Sequence, residues 1–368
     1  MRIKELDGIR GIAILLVIVW HYITCLHPPL EPGSLLAYLH LPTTAFWSGV
    51  DLFFILSGFL IGGIILDNHT KEGFLKVFWV RRICRICPVL AALLIACLLG
   101  HTLLDREQFA WLFDDLMPWW AYPIFMQNIF MGLEGSFGGN FVGVTWSLAI
   151  EEQFYMFAPV LILIFGKRRW IQALLPLVVV AVVLRLQYPG FHAYVNTPFR
   201  MDSLLMGVWV AVMYRNPKIW DSLSQRKGML LSLFLILLPI TGILLAKGLF
   251  GDFKLIWFAL LYSTFLTVAL LYKDTNLTAF LRSPYLCFWG SIAYGLYMYH
   301  QAVAGLLHGW AGNDKPHLND AEGAILMFVA FLLSTLLAWV SFRTYESFFL
   351  KIGKKQRYGE VKGAEVKN

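Results

Sequence analysis

Ten runs of mostly apolar residues divide this chain, at about 9–26, 46–66, 86–104, 144–165, 170–187, 199–214, 229–247, 253–272, 288–309 and 322–344. Runs of roughly 20 such residues are long enough to cross a bilayer as helices, which satisfy their own backbone hydrogen bonds in lipid. No other feature restricts the fold so severely. The pattern predicts an all-α, polytopic membrane bundle of about ten transmembrane helices. Lys and Arg then set its orientation. Alternate connections and the two termini hold 22 of them, whereas the opposite connections hold only Arg106, Lys247, Lys254 and Lys315. Basic residues concentrate on the cytoplasmic side of membrane proteins, so both termini are expected there. The first run resembles a signal peptide in its apolarity. No small-residue cleavage site follows it, and "HPPLEPG" does, so a retained helix is expected.

Composition agrees. The chain is 58% hydrophobic and 14% charged, with a mean hydropathy of +0.65, where a soluble domain carries about 25% charge. Residues 1–350 read as one integral-membrane domain and 351–368 as a basic cytoplasmic tail lying on anionic lipid headgroups. The net charge of +7 sits in short bursts rather than on a basic face interleaved with aromatics, so no nucleic-acid partner is expected. Five cysteines, including Cys84 and Cys87 as a lone CxxC, suggest structural roles and no metal site. The long outer connection 105–143 contains an apolar, aromatic part (109–131) that reads as a re-entrant or interfacial helix. Its length favours a functional role.

Ionisable residues inside a bilayer are costly and are functional candidates. Arg10 and His21 both lie on the first helix, eleven residues apart. At 100° per residue they share one face, separated by about 16 Å along the axis. That span suits contacts to two ends of an elongated ligand. Toward the cytoplasmic side, Arg82 and Arg85 in "RRICRICP" either anchor a helix or form an anion site. In the outer half stand Asp51, Glu151 and Glu152 in "TWSLAIEEQFY", Arg185, Arg200 and Asp202 in "FRMDSLLMG", and His300 in "YGLYMYH". One of the adjacent glutamates can orient a histidine ring and the other can pair with Arg200. The Gly58–Gly62 GxxxG is explained by close helix packing. Tyr294, Tyr297 and Tyr299 fit a core or the lining of a polar cavity, and the sequence leaves both open.

Taken together and in order, "LDGIRGIAILLVIVWH", "VDLFFILSGFLIG", "RRICRICP", "TWSLAIEEQFYMFAP", "FRMDSLLMG" and "YGLYMYH" resemble the acyltransferase type 3 family over about residues 5–345. The resemblance implies an integral O-acyltransferase of the bacterial plasma (inner) membrane that modifies surface carbohydrates. The family's arginine and histidine on the first helix fall on Arg10 and His21, its Arg-x-x-Arg on Arg82 and Arg85, and its Trp-Ser-Leu-x-x-Glu acid on Glu151. It also implies acetyl-CoA as co-substrate, with no metal, and a carbohydrate or glycolipid acceptor. Many relatives carry an additional extracytoplasmic esterase-like domain. None is recognised in this sequence, so the step it performs is expected to be absent or supplied by a partner.

The expected mechanism assigns catalysis to His21 and Glu151, donor binding to Arg10, Arg82 and Arg85, and acceptor binding to Asp51, Glu152, Arg200, Asp202 and His300. His21 acts either as general base, oriented by Glu151, or as a transiently acylated carrier. A succinyl donor, a macrolide acceptor and a membrane transporter are the rival readings. The oligomeric state is not legible.

Overall fold

The computed structural model describes residues 3–26 and 34–359. Arg2, the "HPPLEPG" segment and the tail from residue 360, with Lys362 and Lys367, lie outside the described residues. Among those described the fold is all helix, with no β-strand. The principal helices are α1 (Lys4–Val19), α2 (Gly49–Asn68), α3 (Phe74–Leu103), α4 (Thr145–Gln187), α5 (Thr197–Tyr214), α6 (Lys227–Ala246), α7 (Lys254–Leu271), α8 (Pro284–Trp310), α9 (Ala321–Ser341) and α10 (Ser347–Lys355).

Seven helical segments, rather than ten, are long and apolar enough to cross a membrane. The difference has identifiable sources. In α4 two helices are merged across Gly166, whose φ of 75° and ψ of 158° are non-helical, so the expected runs 144–165 and 170–187 are continuous in this count. Glycine adopts that positive φ without steric cost. Helices α5 and α8 occupy the other two expected runs but lie outside the seven. Both carry polar residues that face the bundle interior, including Arg200, Asp202 and His300.

Glycine sets the closest helix contacts. A Cβ on Gly11 of α1 would lie 2.2 Å from the Leu286 carbonyl of α8, and one on Gly290 would lie 1.9 Å from the Asp7 carbonyl. Only hydrogen fits at these points, so the two backbones meet directly. Contacts advance in the same direction along both helices, from Gly11–Leu286 to Tyr22–His300, which makes α1 and α8 parallel neighbours. The GxxxG reading holds likewise. Gly58 would strike the Leu204 carbonyl of α5 at 1.9 Å, and Gly207 the Ile55 carbonyl at 2.1 Å.

Two expectations are corrected locally. Helix α3 begins at Phe74, well before the expected 86, so Arg82 and Arg85 lie within the helix, one turn apart as expected. The stretch 109–131 is not one re-entrant helix. It is broken into Ala110–Phe113, a 3₁₀ turn Trp119–Ala121 and the start of Gln127–Glu134. Pro118, Pro123 and the positive φ of Asp115 and Phe125 interrupt it. At the other end, α10 runs through the expected boundary at 350. The Arg81 guanidinium then donates to the Gln356 carbonyl and lies 4.9 Å from the Tyr358 ring, which fastens residues 356–358 to the start of α3.

Candidate active site

The parallel contact of α1 and α8 brings two histidines together. Gly11 and Gly290 touch, and ten residues beyond each stand His21 and His300. Their rings meet, with His300 Nε2 3.1 Å from His21 Nδ1. The α-helix ends at Val19 and widens into a π-helical turn, Trp20–Thr24, which carries His21. Such single π turns recur at functional sites. His300 is fully buried, and its Nδ1 faces the Tyr297 and Leu296 carbonyls at 2.7 and 3.2 Å. Carbonyls only accept, so Nδ1 carries the hydrogen and a neutral His300 presents Nε2 as acceptor. His21 therefore donates from Nδ1 and keeps the lone pair on Nε2. That arrangement fixes ring and tautomer, as the carboxylate does in a serine-protease triad. Tyr22 closes the back of the pair, its hydroxyl donating to the His300 carbonyl at 2.7 Å.

The three arginines converge separately, and Glu151, expected in the opposite half of the bundle, joins them. Arg10, Arg82, Arg85 and Glu151 line one cavity of about 250 Å³, with Ser57, Ser147, Tyr155, Tyr294, Tyr297 and Glu346. Arg10 is hydrogen-bonded to Asp7 at 2.8 Å, and the Arg82 guanidinium lies 5.9 Å from the centre of the Tyr155 ring. Three guanidinium groups make this cavity fit for an anionic, phosphate-bearing head. His21 lines a second cavity, of about 590 Å³, together with Trp20, Trp47, Trp111, Trp146, Tyr194, Phe137, Phe191, Asn140, Gln301 and Lys254. Among the described residues no carboxylate lines it. Val50 and Tyr297, among the described residues, line both cavities and mark where they adjoin.

The expected partnerships are corrected. Glu151 does not reach His21 but accepts from Ser57 Oγ at 2.5 Å, while His300 holds the ring. Arg200 pairs with Asp51, not Glu152, at 3.1 Å, and Asp51 also accepts from Ser203 at 3.1 Å. Asp202 binds Arg185 at 2.6 Å. Asp51, Arg200 and Asp202 are completely buried and line neither cavity, and Glu152 lines neither. The Arg200 guanidinium sits among the rings of Tyr194, Phe54 and Trp146, at 5.1, 5.5 and 5.8 Å. Two of those rings form the wall of the second cavity, so this ion cluster supports the wall from behind.

Sequence reading missed the His21–His300 bond and the partition at Tyr297. The first had a signal: glycines spaced equally ahead of both histidines. The second had none, because it depends on where three helices meet.

Residues 3–343 match the profile of the acyltransferase domain that defines the type 3 family. The chain belongs to this acyltransferase family. It is 28% identical over 387 residues to a provisionally named O-acetyltransferase of Staphylococcus aureus strain COL, covering 96% of this chain and 58% of that protein. A similarly named protein of strain MSSA476 is 28% identical over 384 residues, covering 95% and 58%. The O-acetyltransferase OatA of strain NCTC 8325 is 26% identical over 385 residues, covering 95% and 57%. The chain thus spans well under two thirds of the length of these relatives. No solved structure matches it.

Proposed function

We propose that this acyltransferase moves an acetyl group from cytoplasmic acetyl-CoA to a hydroxyl of an extracytoplasmic carbohydrate, such as lipopolysaccharide O-antigen or an exopolysaccharide. In this reading ten helical segments cross the plasma membrane, with both termini inside. The phosphates of the donor dock on Arg82, Arg85 and Arg10. Its pantetheine arm extends past Val50 and Tyr297 and delivers the thioester to His21. The acceptor enters the aromatic-lined cavity, whose ring faces suit the apolar faces of a sugar.

His21 Nε2 then takes the proton of the acceptor hydroxyl as its oxygen attacks the thioester carbonyl. His300 keeps Nε2 unprotonated and correctly aimed before attack. The observation that carries the reading is the adjacency of the two cavities: the arginines line one, the base lines the other, and two residues stand between. The relatives' O-acetyltransferase names support the acetyl donor.

The test uses the full chain in proteoliposomes, with radiolabelled acetyl-CoA on the basic side and surface glycan on the other. Acetyl-dependent label and a mass gain of one acetyl group on the glycan are expected. Glycan crossing the bilayer without any need for acetyl-CoA would replace this account with a transporter.

A further inference from the structure

Resting on the acetyl-transfer reading, the structure assigns Tyr297 a catalytic task. We propose that its hydroxyl donates a hydrogen bond to the thioester carbonyl oxygen and stabilises the charge that develops there.

A donor docked among the arginines and attacked at His21 must pass from one cavity to the other. Among the described residues only Val50 and Tyr297 line both. Val50 has no polar side-chain atom, so the phenol is the one side-chain hydrogen-bond donor common to the two. Its ring centre lies 5.9 Å from that of His300, whose own centre lies 4.9 Å from His21. The reacting carbonyl, near His21 and at the partition, is therefore within the phenol's neighbourhood.

The hydroxyl is also held ready. It donates to the Val144 carbonyl at 3.1 Å, and Ser147 Oγ stands 2.6 Å away. A bond of 3.1 Å is long for an O–H donor. Turning the proton from Val144 to the thioester exchanges that bond for one to developing negative charge. Ser147 Oγ–H can donate to the phenol oxygen throughout, which polarises the O–H further. Ser147 is thus a positioning residue.

The reaction balances without additional reactants. The acceptor oxygen forms a bond to the carbonyl carbon while its proton passes to His21 Nε2. Collapse of the tetrahedral intermediate breaks the C–S bond, and the electron pair leaves with sulfur. His21 returns the proton to that thiolate. The products are the ester and the free thiol of CoA. Tyr297 gives up no proton in the net step.

The test measures acetyl transfer by Tyr297→Phe and by the chain with 3-fluorotyrosine at 297, each in proteoliposomes. Removing one such donor lowers kcat by about 10² to 10³. Tyr297→Phe is expected to show that loss, with donor KM within about two-fold of native because phosphate contacts are intact. The fluorinated phenol, nearly the same size and more acidic, is expected to match or exceed native kcat. Undiminished kcat in Tyr297→Phe would overturn the assignment. So would an equal loss in both variants, which would make the ring a structural partition. If the native chain itself transfers no acetyl group, the proposed function falls and takes this assignment with it. Native transfer with an active Tyr297→Phe sinks the assignment alone.

Discussion

The two cavities on either side of Tyr297 differ in nearly every respect. One has a volume of about 250 Å³, with three arginines and two glutamates in its wall. The other holds about 590 Å³, with aromatic rings, amides, Lys254 and His21 but, among the described residues, no carboxylate. A phosphate-rich carrier and a neutral sugar place opposite demands on a protein. The first needs fixed guanidinium forks, and the second needs flat apolar surface with a few polar contacts. Each cavity meets one of these demands. The contrast implies that substitutions should separate by side: those around the arginines should alter donor KM, and those around the rings should alter acceptor KM.

The strongest test of that separation is His21→Ala. Removing a general base costs about 10² to 10⁴ in rate. Acetyl transfer measured at saturating donor and acceptor should drop by that factor, while the protein accumulates in membranes at the native level. Bound acetyl-CoA, followed by equilibrium dialysis in detergent, should be nearly unaffected. A large loss of donor affinity would erase the distinction between the cavities.

Next in size is Arg200→Met. Arg200 lines neither cavity, and its removal leaves Asp51 buried with only Ser203 as a hydrogen-bond partner. Breaking a buried pair on one side costs about 3–5 kcal/mol. Membrane accumulation and the thermal midpoint in detergent should both fall. The double change Asp51→Leu with Arg200→Met removes the stranded charge and should recover much of the loss. If the single variant instead accumulated normally and lost only acceptor affinity, Arg200 would belong to the aromatic-lined cavity after all.

Arg82→Ala and Arg85→Ala address the other side. A hydrogen bond to a charged group contributes about 1.5–3 kcal/mol, so donor KM should rise roughly 10- to 100-fold in each. The rise should shrink when the donor lacks its nucleotide phosphates, as in an acetyl-pantetheine substrate. An equal rise for both donors would show that these arginines bind no phosphate. Neither variant forfeits a salt bridge, since Arg82 and Arg85 form none among the described residues.

Those arginines illustrate how far the sequence could be read. Arg82 and Arg85, Arg10 and His21 stood out as candidates because lipid penalises charge, which makes every intramembrane arginine or histidine conspicuous. The apolar runs were legible for the same reason, and each of them is helical. What the penalty does not reveal is which charges satisfy one another. Arg200 and Arg82 look equally suspicious in a sequence. Only the helix contacts decide that Asp51 reaches Arg200, whereas a cavity opens beside Arg82. The Glu151–His21 pairing failed on this ground, since helix register placed Ser57 beside the carboxylate and His300 beside the ring. The broken form of 109–131 was less visible still. Its apolarity signalled membrane depth, but Pro118, Pro123 and the left-handed Asp115 and Phe125 determined its path.

That connection supplies the smallest predicted effect and the finest division between the cavities. Trp111, Phe137 and Asn140 extend from it into the aromatic-lined cavity. Asn140 is fastened by its own side chain, with Nδ2 donating to the Trp111 carbonyl at 3.1 Å, while its backbone N–H donates to the same carbonyl at 3.2 Å. Trp111 is therefore held by its backbone, and replacing its indole should leave the connection in place. An aromatic contact contributes about 0.5–1.5 kcal/mol. Trp111→Ala should then raise acceptor KM roughly two- to ten-fold, with donor KM and the rate at saturation nearly native. Initial rates across a glycan concentration series at fixed acetyl-CoA would measure it. Should donor KM rise by the same factor, the ring would be shaping the partition around Tyr297 rather than contacting the sugar, and the division of labour between the two cavities would have to be redrawn.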